Sequence, residues 1–132
     1  MKALYGRILL FGFLIYASEF MLWSFFAAYD QFSPVSLLSG FLPQVLSHAI
    51  TALAAFLAAR FIAPASIRHA LTYGILWTLM HILFDILYVI PAAGAAALFT
   101  SFMFITCAIV LFIPITVFYI SHRERALTRE NV

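Results

Sequence analysis

Four ionisable side chains, Glu19, His48, His81 and Asp85, sit inside long apolar runs where hydrocarbon would normally exclude them. A charge at the centre of a membrane helix costs about 2.5 to 3.5 kcal/mol on insertion scales, so each of these groups must face another helix, water or a partner. His81 and Asp85 are four residues apart and lie one helical turn from each other on one face. A carboxyl within reach of an imidazole can pass a proton or hold a cation, which makes the four residues the candidate ligand- and proton-binding set. The competing use of the same residues is a buried acid–imidazole network that only orders the bundle.

Other chemistries find less support. Two histidines and a carboxylate are a usable donor set, so His48, His81 and Asp85 are weak candidates for a divalent metal, but no HExxH pattern accompanies them. Haem between His48 and His81 rests on a single unsupported histidine pair. Ser18, Ser24, Ser47 and Ser101 lack a GxSxG context, and neither a glycine-rich phosphate loop nor a histidine near Cys107 is present. The sequence therefore leans away from an enzyme and leaves the cofactor open.

The elements that must position these groups follow from composition. Of the 132 residues 66% are hydrophobic and 9% are charged. So small a chain cannot hide that much apolar surface within itself, which excludes a water-soluble globule; fifteen Phe, six Tyr and two Trp exclude disorder. A net charge of +2 with scattered basic residues excludes a nucleic-acid partner. The single Cys107 cannot form an internal disulfide. About 20 apolar residues cross a bilayer, and there are runs of that length over approximately 6–29, 42–62, 69–90 and 96–120. The fold expected is an all-α integral membrane protein, one four-transmembrane-helix domain spanning 1–132. Pro91-Ala92-Ala93-Gly94 is expected to end the third span, and Pro114 to kink the fourth. The stretch from Ser33 to Phe41 is expected to lie at the membrane surface. The first span carries Glu19 and bulky Phe25-Phe26 before Ala27-Ala28, so it is read as retained and not as a cleaved signal.

All seven Lys and Arg residues, Lys2, Arg7, Arg60, Arg68, Arg123, Arg125 and Arg129, fall on one side of such a topology. Positive loops stay in the cytoplasm, so both termini are expected there and the protein in a cell inner (plasma) membrane. Trp23, Tyr29, Tyr73, Tyr88 and Tyr119 lie toward span ends, as interfacial aromatics do.

At about 1.5 Å of rise per residue, His81 lies near the midplane, with Glu19, His48 and Asp85 about 3, 5 and 7 Å outward of it. Helical spacing aligns Gly12, Tyr16, Glu19 and Trp23 on the first span, and Gly74, Thr78, His81, Asp85 and Tyr88 on the third. Ser47, Thr51, Ala55 and Ala59 form a helix-packing ridge that suggests a central second span, with His48 beside the seam; the fourth span reads as the most lipid-exposed helix or as an oligomer contact. The function expected is binding or translocation of a small solute, proton or cation through a polar site in the outer half of the bundle. The alternative is a non-catalytic accessory or scaffold subunit with a structural polar network. Expected partners are the lipid bilayer and either a second copy or another membrane protein.

Overall fold

The computed structural model describes residues 2–33 and 41–130. The expected surface stretch between Ser33 and Phe41 therefore lies outside the described residues, apart from its two ends. Four α-helices carry the chain: α1 over Lys2–Phe32, α2 over Phe41–Ile62, α3 over Ile67–Ala93 and α4 over Ser101–Glu130. Within them Tyr5–Phe32, Phe41–Ile62, Ile67–Ala93 and Ser101–Thr128 are long and apolar enough to cross a membrane. Leucine and phenylalanine side chains stay exposed along every helix, from Leu10 and Phe13 on α1 to Phe104 and Phe112 on α4. An exterior of that kind is stable against acyl chains and not against water.

Helix ends follow local chemistry. Ser66, extended at φ −151°, accepts the His69 N–H on its side-chain oxygen and starts α3. Pro91 does not end that helix. It continues to Ala93 and stops at Gly94, whose positive φ of 82° turns the chain out while its N–H still bonds the Ile90 carbonyl. A 3-10 turn over Ala95–Phe99 follows, so α4 begins at Ser101, later than the sequence suggests. Thr100 sets that start: it is extended, and its hydroxyl accepts the Met103 N–H at 3.3 Å. Pro114 lies fully buried within α4, and the helix runs on past it.

Packing closes a ring in the order α1, α2, α4, α3, in which α1 and α4 each touch both α2 and α3. The second helix is thus one wall of the ring and not its centre, although its ridge of Ser47, Thr51, Ala55 and Ala59 is completely buried as expected. The fourth helix is not the most lipid-exposed. Met103, Thr106, Val110, Pro114 and Val117 recur every three or four residues along its inner face, and α3 has the smallest buried share of the four spans. Neighbours α1 and α3 run parallel: Ile8 meets Trp77, Tyr16 meets His81 and Phe20 meets Tyr88. Likewise α2 and α4 run parallel, from His48 on Phe102 to Arg60 on Glu124. These pairings gather Arg7, Arg60, Arg68, Arg123 and Arg125 at one end of the bundle. The Arg60–Glu124 bridge there, 2.8 Å long, is exposed and contributes little stability.

The half nearest that basic end is tightly packed. Ile8, Ile15, Ala55, Ala59, Tyr73, Trp77, Val110 and Val117 form its core. Tyr73 belongs to it, only 4% exposed and beside Trp77, and is not an interfacial residue, whereas Tyr29, Tyr88 and Tyr119 do face outward. The Trp77 indole N–H donates to the Ile8 carbonyl across 2.8 Å, giving a polar atom a partner inside the apolar core. Gly12, one turn beyond Ile8, makes room for it, since a methyl group there would stand 2.8 Å from both Trp77 Cδ1 and Met80 Sδ. Gly74 brings α3 against the Leu111 main chain of α4 so closely that a methyl group would collide with the Leu111 carbonyl oxygen.

These contacts rank two substitutions. Gly74→Ala meets main chain that cannot turn aside, whereas Gly12→Ala meets a flexible thioether and one ring edge. Reversible unfolding in mixed micelles is expected to show Gly74→Ala destabilised by about 1 to 3 kcal/mol and by more than Gly12→Ala. The reverse order would contradict the α3–α4 contact.

Candidate functional site

Glu19 is the hub. Its position on α1 is fixed by the face that also carries Gly12 and Tyr16 toward α3, and the residue is only 5% exposed. The Thr51 hydroxyl of α2 donates to Glu19 Oε2 at 2.9 Å, and Ser47 and the Trp23 indole also approach this carboxyl. The Trp23 N–H itself donates to Ser47 Oγ at 3.2 Å. From the other side His81 of α3 brings Nε2 to 3.4 Å from the same Glu19 oxygen, and to 3.8 Å from Asp85 Oδ2 one turn along. These distances describe an imidazole shared between two carboxyl groups more than one tight hydrogen bond.

Tyr16 completes the arrangement. Its ring stands edge-on to the His81 imidazole with centroids 5.0 Å apart, and its hydroxyl faces the Asp85 carboxyl. Phe84 stacks on Tyr16 at 4.9 Å and holds that ring in place. Three helices therefore meet through Glu19, Thr51, His81, Asp85 and Tyr16. On α4 the Thr106 hydroxyl is fully buried with no hydrogen-bond partner among the described residues, and the Thr78 hydroxyl of α3 is likewise unpartnered.

The sequence places Glu19, His48, His81 and Asp85 in one locus; the structure joins three of them. His48 follows Ser47, and one residue of helix rotates it about 100° away from the α1–α2 seam that Ser47 faces. Its ring lies on Phe102 of α4, centroids 4.6 Å apart, with Nδ1 unbonded among the described residues. The metal trio of His48, His81 and Asp85 is split by the same rotation. Among the described residues no three or more His, Cys, Asp or Glu side chains stand where they could share a metal ion. A haem pair fares no better, because His81 is enclosed by Tyr16 and Glu19 while His48 is committed to Phe102.

A cavity of about 490 Å³ leads to the site. Glu19 and Asp85 form the acidic part of its wall, with rings of Tyr16, Phe20, Trp23, Tyr88 and Phe102 around them. Ala92, Ala93 and Ala97, from the end of α3 and the 3-10 turn, leave its outer portion roomy. It therefore lies toward the end of the bundle opposite the arginines. Sequence reasoning missed three participants, namely Thr51 and Ser47 as hydrogen-bonding partners and Tyr16 as the neighbour of both His81 and Asp85. The signal was present for Thr51 and Ser47, since a packing ridge in lipid needs small residues but not hydroxyl groups, and hydroxyls stand here at the depth of an acid.

Fold and site together define a four-helix bundle suited to a membrane, with an acid–imidazole cluster at the base of a cavity in its arginine-free half. Compared with known proteins, the chain matches no family model, no curated protein and no solved structure.

The Thr51 bond offers a direct check. Thr51→Val keeps shape and removes the donor, and is expected to lower stability by about 1 kcal/mol, while Thr51→Ser retains most of it. Equal stability of the two variants in reversible unfolding would mean that the hydroxyl contributes nothing.

Proposed function

We propose that the protein is a multi-pass inner-membrane protein that binds or translocates a small solute, proton or cation through the outward cavity. The observation that carries this reading is that the cavity wall includes Glu19 and Asp85, the two acids that share His81. A packing network would be served by a sealed core; here the acids line open space. Desolvated charge must be balanced, so a proton or a cation arriving through the cavity is the natural counter-charge. His81 lies between the acids and can relay a proton from one to the other.

The orientation that fits puts the arginine-bearing end in the cytoplasm, because positively charged flanks are retained there. Both ends of the described chain then lie inside and the cavity opens outward. Four helices enclose little pathway alone, so the working form is proposed to be an oligomer whose contacts use the exposed apolar faces. An accessory subunit with a structural network is the other reading, and the way Glu19 ties α2 and α3 to α1 supports it.

Flux in proteoliposomes separates the two. Glu19→Gln and Asp85→Asn are expected to reduce proton- or cation-linked flux at least tenfold while the bundle stays folded. Flux that is absent from the parent protein, or unchanged in both variants, would favour the accessory role. Orientation is tested with single cysteines in a Cys107→Ser background. A membrane-impermeant maleimide is expected to label Phe32→Cys in intact cells, and Arg125→Cys only after the membrane is opened; the opposite pattern would invert the topology.

A further inference from the structure

We infer that the ligand of the outward cavity is a small organic cation, an ammonium or phosphonium centre carrying apolar groups. The inference rests on the ligand-binding reading above and narrows it to a chemical class. Five aromatic side chains, Tyr16, Phe20, Trp23, Tyr88 and Phe102, line the same space as the two acids. They are mutually braced: Tyr16 stacks on Phe20 with centroids 6.3 Å apart, Phe20 meets Tyr88 at 6.0 Å, and Trp23 meets Phe102 edge-on at 5.7 Å. Aromatic faces attract cations through the ring quadrupole, most strongly where water is excluded, and alkylated ammonium groups are the ligands such walls recognise.

Other occupants fit less well. An anion would meet two carboxyls and no Lys or Arg, since none lines the cavity and none occurs between residues 8 and 59 or between 69 and 122. A hard cation such as Ca2+ or Mg2+ needs about six oxygen ligands, far more than this largely apolar wall supplies, and among the described residues no three His, Cys, Asp or Glu side chains converge for a softer metal. A neutral apolar molecule or an acyl chain would use the rings but make no use of the two carboxyls on the same wall. An organic cation satisfies both parts at once, its charge set against the acids and its substituents against the rings. The volume of about 490 Å³ falls in the range of small-molecule pockets.

The test is equilibrium binding of tetraphenylphosphonium to the full chain in detergent, beside uncharged triphenylphosphine oxide as the matched neutral probe. Saturable binding of the cation is expected, with the neutral probe at least tenfold weaker. Asp85→Asn is expected to weaken the cation at least tenfold. Tyr88→Leu, at an exposed position on the wall that leaves the acid–imidazole contacts in place, is expected to weaken it several-fold. Glu19→Gln removes the hub of three helices, so the binding result is read from Asp85→Asn and Tyr88→Leu, both checked for retained helicity and monodispersity. Equal binding of the neutral probe, or unchanged cation binding in both variants, overturns the inference. If no organic cation binds while inorganic-cation or proton flux still depends on Asp85, the class of ligand is wrong and the general reading stands. Acid-dependent binding without any flux would leave the ligand class intact and remove transport.

Discussion

A carboxyl group buried among apolar helices must be given partners, and the arginine-free half of this molecule is organised around that requirement. Glu19 obtains them from two neighbouring helices: the Thr51 hydroxyl and Ser47 of α2, and the His81 imidazole of α3. Each bond crosses from one helix to another. Hydrophobic burial gives helices in lipid no preference for one another over acyl chains, so such bonds, together with close small-residue packing, must fix which faces meet. The arginine-bearing half relies on packing instead: Gly74 against the Leu111 main chain, and the alanine positions of α2 in the common core.

The two halves consequently differ in what they can do. Around Trp77 and Val117 the bundle is filled, and the Trp77 indole is satisfied by the Ile8 carbonyl. Toward the arginine-free end, α3 ends at Gly94 and the chain takes a 3-10 turn before α4 starts at Ser101. Small residues there, Ala92, Ala93 and Ala97, leave space above the acids that bulky side chains would close. Tight packing around Trp77 and open space beside the acids are the contrast on which the ligand-binding proposal rests.

Much of this was readable in the sequence because lipid imposes simple rules. Four long apolar runs became four helices, and the alignment of Tyr16 with Glu19 and of His81 with Asp85 follows directly from 3.6 residues per turn. Helix neighbours were not readable in the same way. Periodicity identifies a buried face but not the helix it meets, so α2 looked central although it lies in the wall of the ring, and α4 looked peripheral although Thr106, Val110 and Val117 face inward. His48 was misplaced for a related reason. Its depth matches the site, but a single residue of rotation from Ser47 carries it to Phe102, and depth without azimuth cannot detect that. The boundary at Thr100 was hidden because the sequence around it remains apolar; only the hydroxyl capping Met103 marks it.

The claim on which the functional reading depends is that Glu19 and His81 meet and interact inside the bundle. A double-mutant cycle measures this most directly, using unfolding free energies of the parent, Glu19→Gln, His81→Gln and the double variant in mixed micelles. Direct contact is expected to leave a coupling energy of about 1 kcal/mol or more between the two positions, whereas effects that add to within about 0.5 kcal/mol would mean that the acid and the imidazole do not share a site.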